Sequence, residues 1–172
     1  TVETAKRCHA AGAEAIHFHL RDSAQQHILD AGLYKEGLAE LYRQVPEMHL
    51  QITTEAVGRY SPEEMTKIAY DVMPPGISIG VAEMMPSRQP SADNLRLYQS
   101  LYEAGCRVQH LCYQPEDVDL LARLISEAGF EDEKIWGMFV IGHYTGRASR
   151  PDMLPPSIAR AAAPGPVLHQ AV

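Results

Sequence analysis

Ala15-Ile16-His17-Phe18-His19-Leu20-Arg21-Asp22 alternates apolar side chains with two imidazoles and closes on an arginine–aspartate pair. Read as a β-strand, it puts Ile16, Phe18 and Leu20 on one face and His17 and His19 together on the other. Two imidazoles at i and i+2 can reach one metal ion, and imidazole suits zinc and the other late first-row divalent metals. An isolated histidine is usually a surface or satisfied core residue. Two at strand parity, followed at once by Arg21-Asp22, make His17 and His19 candidate metal ligands instead.

Outward from this strand the chain alternates. Thr1 to Gly12 reads as a helix with Val2, Ala5 and Cys8 on one face and Gly12 as its stop. After the strand comes a polar loop, Arg21 to Asp30, then a helix from Ala31 to Gln44 with Leu33, Leu38, Leu41 and Tyr42 inward. Met48 to Thr54 is a strand whose Leu50 and Ile52 face one way and Gln51 and Thr53 the other, repeating the parity of the histidines. Ser61-Pro62-Glu63-Glu64 is a capping box with proline at the first helical position, opening a helix through Val72 with an inner stripe of Met65, Ile68, Ala69 and Val72. Ile77 to Val81 is a third strand, with Glu83 just past its end. A helix near Ser91 to Ala104 stops at Gly105, and Val108 to Tyr113, with Gln109 and His110, is a fourth strand. Val118, Leu121, Leu124 and Ile125 mark another helix, and the apolar run Ile135 to Ile141 before Gly142-His143 is a fifth, buried strand. Prolines 151, 155, 156, 164 and 166 leave room for one short helix around Ser157 to Ala163.

Composition narrows the function classes. With 172 residues, 45% of them hydrophobic, the chain can bury a substantial core as a single domain. A net charge of -7 without a basic block argues against nucleic acid, while single cations such as Arg21 can still hold a small anion. No apolar run approaches the roughly eighteen residues of a membrane-spanning helix, and nothing at the N-terminus reads as a signal peptide, so a cytoplasmic protein without membrane contact is expected. Cys8, Cys106 and Cys112 form no CxxC pair and read as buried small hydrophobes in a reducing compartment.

Helix–strand alternation about every thirty residues implies a parallel sheet built from βα units. An open doubly wound sheet would be expected to carry a Gly-rich phosphate loop after its first strand, and neither GxGxxG nor GxxxxGK[ST] occurs. The other outcome is a (β/α)8 TIM barrel, which needs about 200 to 250 residues and carries its site on the βα loops, where His19, Thr53, Glu83, His110 and His143 fall. The fold expected is therefore α/β, a (β/α)8 barrel incomplete in this chain: a single domain over 1–172, with one strand missing before Thr1 and about two βα units after Val172.

The stretch Ala11-Gly12-Ala13 with Ile16-His17-Phe18-His19-Leu20-Arg21-Asp22 resembles the HxHxRD signature of the β-keto acid cleavage enzymes, the family of 3-keto-5-aminohexanoate cleavage enzyme. Gln51-Ile52-Thr53-Thr54 resembles that family's next strand and Ile77 to Pro86 the one after, so the similarity reaches about Gly146. The resemblance implies a zinc-containing barrel that joins a β-keto acid and acetyl-CoA to give acetoacetate and a new CoA thioester. It makes His17 and His19 two zinc ligands. The family's third ligand is a glutamate on a late strand, beside an assisting arginine and aspartate; the chain ends before that motif, and those roles are not carried over to Glu55 or Glu83.

Four residues are candidates for substrate binding. Arg21 can grip a carboxylate bidentately, or with Asp22 orient the histidines and bridge loops. Thr53 and Ser78, at the inward parity of successive strands, can hydrogen-bond a carboxylate or fill the barrel. Glu83 is a base or ligand at a strand end, or a surface carboxylate. The expected partners are a small β-keto acid, acetyl-CoA and further copies of the chain in a homo-oligomer. Two alternatives remain: a metal-dependent amidohydrolase, whose barrels also open on HxH and for which His110 and His143 would supply later histidines, and a non-catalytic barrel fragment.

Overall fold

The helical and strand periodicities fold in alternation, as a computed structural model describes for residues 1–130, 135–142, 150–161 and 169–170. In chain order the elements are α1 (Val2–Ala10), β1 (Ala15–Phe18), β2 (Leu20–Arg21), β3 (His27–Ile28), α2 (Ala31–Gln44), β4 (His49–Thr53), α3 (Pro62–Val72) and β5 (Gly76–Gly80). They continue with α4 (Val81–Met84), α5 (Ala92–Glu103), β6 (Arg107–Cys112), α6 (Pro115–Ala128), β7 (Trp136–Phe139), α7 (Leu154–Ala161) and β8 (His169–Gln170). Among the described residues the main sheet has the order β1-β4-β5-β6-β7-β8, and every neighbouring pair is parallel.

That order decides where the helices go. Right-handed crossovers that always advance in one direction place their helices on the same face. Accordingly α1 packs on α2, α2 on α3, α3 on α5, α5 on α6 and α6 on α7. A doubly wound sheet reverses its strand order part-way and covers both faces; the described strands show no such reversal. The protein is thus an α/β fold with a mostly parallel sheet flanked by helices, an arrangement consistent with part of a (β/α)8 wall.

The helix-side face is the core. Phe18, Leu50, Ile52, Ile77, Ile79 and Val108 from the strands meet Tyr34, Leu38, Leu41, Met65, Ala69, Leu97, Leu101, Leu121 and Leu124 from the helices, all buried. Helix ends are set by local chemistry. Ser61 and Glu64 make the expected reciprocal capping box, Ser91 and Asn94 make a second, and Asp30 accepts the Leu33 N–H at 2.8 Å. Gly129 ends α6 in the left-handed region at φ +67°, where a side chain would be strained.

Several expectations need correction. In α2, Leu33 and Tyr42 are 44% and 46% exposed, because the buried stripe is narrower than expected: it runs through Tyr34, Leu38 and Leu41, and Leu33 and Tyr42 flank it on opposite sides. Tyr34 is wholly buried; its hydroxyl donates to the Thr53 carbonyl at 3.2 Å and its ring packs edge-on against Phe18. The histidine strand stops at Phe18, and the expected polar loop holds the antiparallel β2–β3 hairpin. Asp22 builds its turn by accepting the N–H groups of Ala24 and Gln26, both at 2.9 Å, with Gln25 left-handed at φ +61°. Two-residue strands are too short to show an alternation.

β8 raises the five expected strands of the main sheet to six; its two residues lie in the proline-broken tail. The tail helix runs Leu154–Ala161, its expected last residues, Ala162 and Ala163, lying outside the described residues, as does His143. Cys8 is exposed, while Cys106 and Cys112 are buried, and burial pushes both of those thiols up to about 12. No helix among the described residues is long and apolar enough to cross a membrane.

Candidate active site

Parallel pairing sets β1 against β4 with His17 opposite Gln51, so both side chains leave the sheet on the face away from the helices. His17 Nδ1–H donates to Gln51 Oε1 at 2.6 Å. Its other nitrogen, Nε2, lies 2.9 Å from Nε2 of His19, with the two rings edge-on and their centroids 4.9 Å apart. His19 turns its Nδ1 toward Glu55, whose Oε2 is 3.6 Å away. Both imidazoles therefore point Nδ1 at an oxygen and Nε2 at each other.

The electrostatics keep His19 uncharged. Burial, followed by the neighbouring His17, His27 and Arg21, lowers the pKa of His19 to about 4, so it is neutral at pH 7. A neutral imidazole with its proton on Nδ1 presents a lone pair at Nε2. At 2.9 Å that lone pair faces the Nε2 of His17, a contact that calls for a proton or a cation between the two nitrogens. Zinc–nitrogen bonds of about 2.0–2.1 Å at a tetrahedral angle separate two nitrogens by about 3.3 Å, so ring adjustments of a few tenths of an ångström would accommodate one ion. Oxygen partners on the remaining N–H groups are what metal-binding histidines ordinarily have. Among the described residues, no third His, Cys, Asp or Glu completes a metal-holding group with these two.

The other candidates are placed as follows. Thr53 and Ser78 are register partners on neighbouring strands, both buried; the Ser78 hydroxyl donates to Thr53 Oγ1 at 3.2 Å. Thr53 Oγ1 also accepts the Glu55 N–H at 3.0 Å, which fixes how the chain leaves β4. Glu83 lies on α4, immediately after β5, and its carboxylate reaches the Ala56 N–H at 3.4 Å. Arg21 donates to the Gln25 carbonyl across the hairpin turn at 2.9 Å, and Asp22 closes that turn. His110 does not join the site. It belongs to the helix-side parity of β6, fully buried, stacked on Tyr98 and donating Nδ1–H to the Trp136 carbonyl at 3.1 Å.

Gln51, Glu55 and His27 were not singled out from the sequence. Gln51 was legible in principle, since its polar parity on β4 matches that of the histidines once β1 and β4 are paired. Glu55 and His27 carry no such signal, because both positions depend on how the loop after β4 folds back onto the β2–β3 hairpin. A cavity of about 780 Å³ runs along the inner face below the pair, lined by His17, Gln51, Gln109, Leu111, Trp136 and Met138 among others. A larger one, about 1100 Å³, opens near the C-terminal ends of α5 and α6, away from the imidazoles.

The family model for beta-keto acid cleavage enzyme matches residues 1–168. The chain belongs to the β-keto acid cleavage enzyme family. Membership makes it part of a family of enzymes that act on β-keto acids. The match covers the HxHxRD strand, the inner-face residues of β4 and β5, and the helices behind them, and extends past the Gly146 limit of the sequence resemblance.

Proposed function

We propose that the natural protein carrying this sequence is a zinc-dependent β-keto acid cleavage enzyme on a (β/α)8 barrel, active as a homo-oligomer in the cytoplasm. In the reaction an R–CO–CH2–COO⁻ substrate gives up its R–CO group to the sulfur of CoA, while the acetyl group of acetyl-CoA takes its place, yielding acetoacetate and R–CO–CoA. The observation that carries this reading is the convergence of His17 and His19 at 2.9 Å through Nε2, each with Nδ1 facing an oxygen. These two nitrogens would hold the metal. Zinc with an open coordination position supplies Lewis acidity that polarises a β-keto carbonyl and stabilises the negative charge developing as the carbon–carbon bond breaks.

The chain's own residues do the positioning. Gln51 and Glu55 orient the two imidazoles. Arg21 retains guanidinium donors beyond the one given to Gln25 and is suited to a substrate carboxylate. The Thr53 hydroxyl accepts two hydrogen bonds and keeps its own proton to donate, with Ser78 behind it. Glu83, on α4 just after β5, would bound the substrate on that side.

The amidohydrolase reading loses its main support, because His110 is committed to the helix-side core. Following acetoacetate with and without acetyl-CoA tests the choice. Product formation should require a β-keto acid, acetyl-CoA and zinc, and should fall at least about a hundredfold in His19→Ala. Hydrolysis of an amide or lactone without CoA, with no acetoacetate from any β-keto acid tried, would replace this reading with the rival.

A further inference from the structure

We propose that His27 is a positioning residue for the imidazole pair, acting through Glu55; the proposal rests on reading His17 and His19 as metal ligands. His27 lies on β3, in a hairpin of two-residue strands, yet its side chain is only 6% exposed. Its Nε2–H donates to the Glu55 carbonyl at 3.0 Å, which leaves a lone pair on Nδ1 that is buried and has no partner among the described residues. Its ring packs on His19 with centroids 5.2 Å apart and meets Tyr60 edge-on at 6.2 Å. A buried nitrogen without a partner is unfavourable. A phenyl ring would fill the same space without that cost, so the N–H donated to Glu55 is the feature that sets histidine apart here.

The loop that His27 grips needs gripping. After Glu55, the Arg59 N–H returns to the Ala56 carbonyl at 2.9 Å, with Val57 at φ +46° and Gly58 at φ +69°. A β-branched residue is disfavoured in this left-handed region, so the turn must be imposed by its surroundings. The hairpin supplies them. Arg59 donates to the His27 carbonyl at 3.1 Å, and the Leu29 N–H donates to the Tyr60 hydroxyl at 3.1 Å. Glu55 itself is held at both backbone groups, its N–H by Thr53 Oγ1 and its C=O by His27. Only its side chain remains to be placed, and that carboxylate faces His19 Nδ1. His27 thus sets the backbone from which Glu55 selects the tautomer and the ring angle of His19.

Two measurements on the natural protein carrying this sequence separate this from a merely space-filling histidine: the His19 tautomer in metal-free protein, from imidazole nitrogen NMR at pH 7.5, and zinc affinity by chelator competition. Wild type should show one dominant His19 tautomer. His27→Phe, which keeps the ring and removes the donor, should give mixed tautomers and bind zinc at least about tenfold more weakly, while Glu55→Gln should scramble the tautomer in the same way. His27→Gln, which retains an N–H for the Glu55 carbonyl, should recover the wild-type tautomer. His27→Leu replaces His27→Phe if the latter does not fold, folding being judged by circular dichroism. A folded donorless variant with the wild-type tautomer and zinc affinity overturns the proposal, as does a folded His27→Gln variant that is scrambled like His27→Phe. If wild type binds no zinc, the metal reading fails, while the tautomer comparison still decides the role of His27.

Discussion

The two faces of one sheet show the two uses to which these strands are put. On the helix side, Ile52, Ile77 and Ile79 are fully buried and touch other apolar side chains. On the inner side, one residue along each strand, stand His17, Gln51, Thr53, Ser78 and Gln109, each a polar group at a matching register position. The first face stabilises by removing area from water and tolerates any well-packed substitute. The second stabilises little, because its hydrogen bonds replace bonds to water, but it fixes where lone pairs and hydroxyls point. Fold and chemistry thus occupy alternate residues of the same strands.

The largest predicted effect breaks the helix-side face. Ile77→Ala should cost about 2–5 kcal/mol in urea unfolding and leave zinc affinity of the folded protein unchanged, because it leaves a cavity on the face opposite the imidazoles. A smaller effect comes from a histidine buried on that face. Burial lowers the pKa of His110 to about 4, below its unfolded value of 6.5, so between those values the unfolded chain binds more protons. Its contribution is fully present above pH 6.5 and is lost as pH falls toward 4, amounting to roughly 3 kcal/mol. His110→Gln, which retains an N–H for the Trp136 carbonyl, should flatten this part of the stability–pH curve. An unchanged slope would assign the loss to other groups, His19 foremost, whose pKa is lowered in the same direction.

Local devices follow at about 1 kcal/mol. Ser61→Ala removes the oxygen that caps the Glu64 N–H and should lower stability by about that much. Val57→Asn should raise stability by about 1 kcal/mol, seen as a gain of a few degrees in Tm, because asparagine is at ease in the left-handed region and valine is not. A valine that proved the more stable residue would remove the strain attributed to this loop.

The face comparison also explains what could be read in advance. Strand parity put Leu50 and Ile52 with the core and His17, Gln51 and Thr53 opposite, and the Ser61 capping box and the stripe Met65, Ile68, Ala69 and Val72 fold as expected. Such patterns are local, and a few consecutive residues contain them. The inward place of Tyr34 in α2 was not legible, since Tyr34 and Leu33 compete for that edge of the stripe and the Thr53 carbonyl that receives the Tyr34 hydroxyl lies at the far end of the following strand. The same holds for Glu55 and His27, whose roles depend on a hairpin, a strained turn and a strand end meeting in space. His110 was misplaced by its nearness to a strand end; parity along β6, where it shares a face with Val108 and Cys112, was the better guide.

The central claim is that the inner face presents His17 and His19 to one metal ion. The most direct measurement is zinc content per chain of the natural protein carrying this sequence, by elemental analysis after growth with zinc and extensive dialysis, for wild type, His17→Ala and His19→Ala. The account predicts close to one equivalent in wild type, little in either variant, and stabilities of the metal-free proteins within about 1 kcal/mol of one another, since the pair contributes little to the core. Full zinc occupancy in both variants would contradict it.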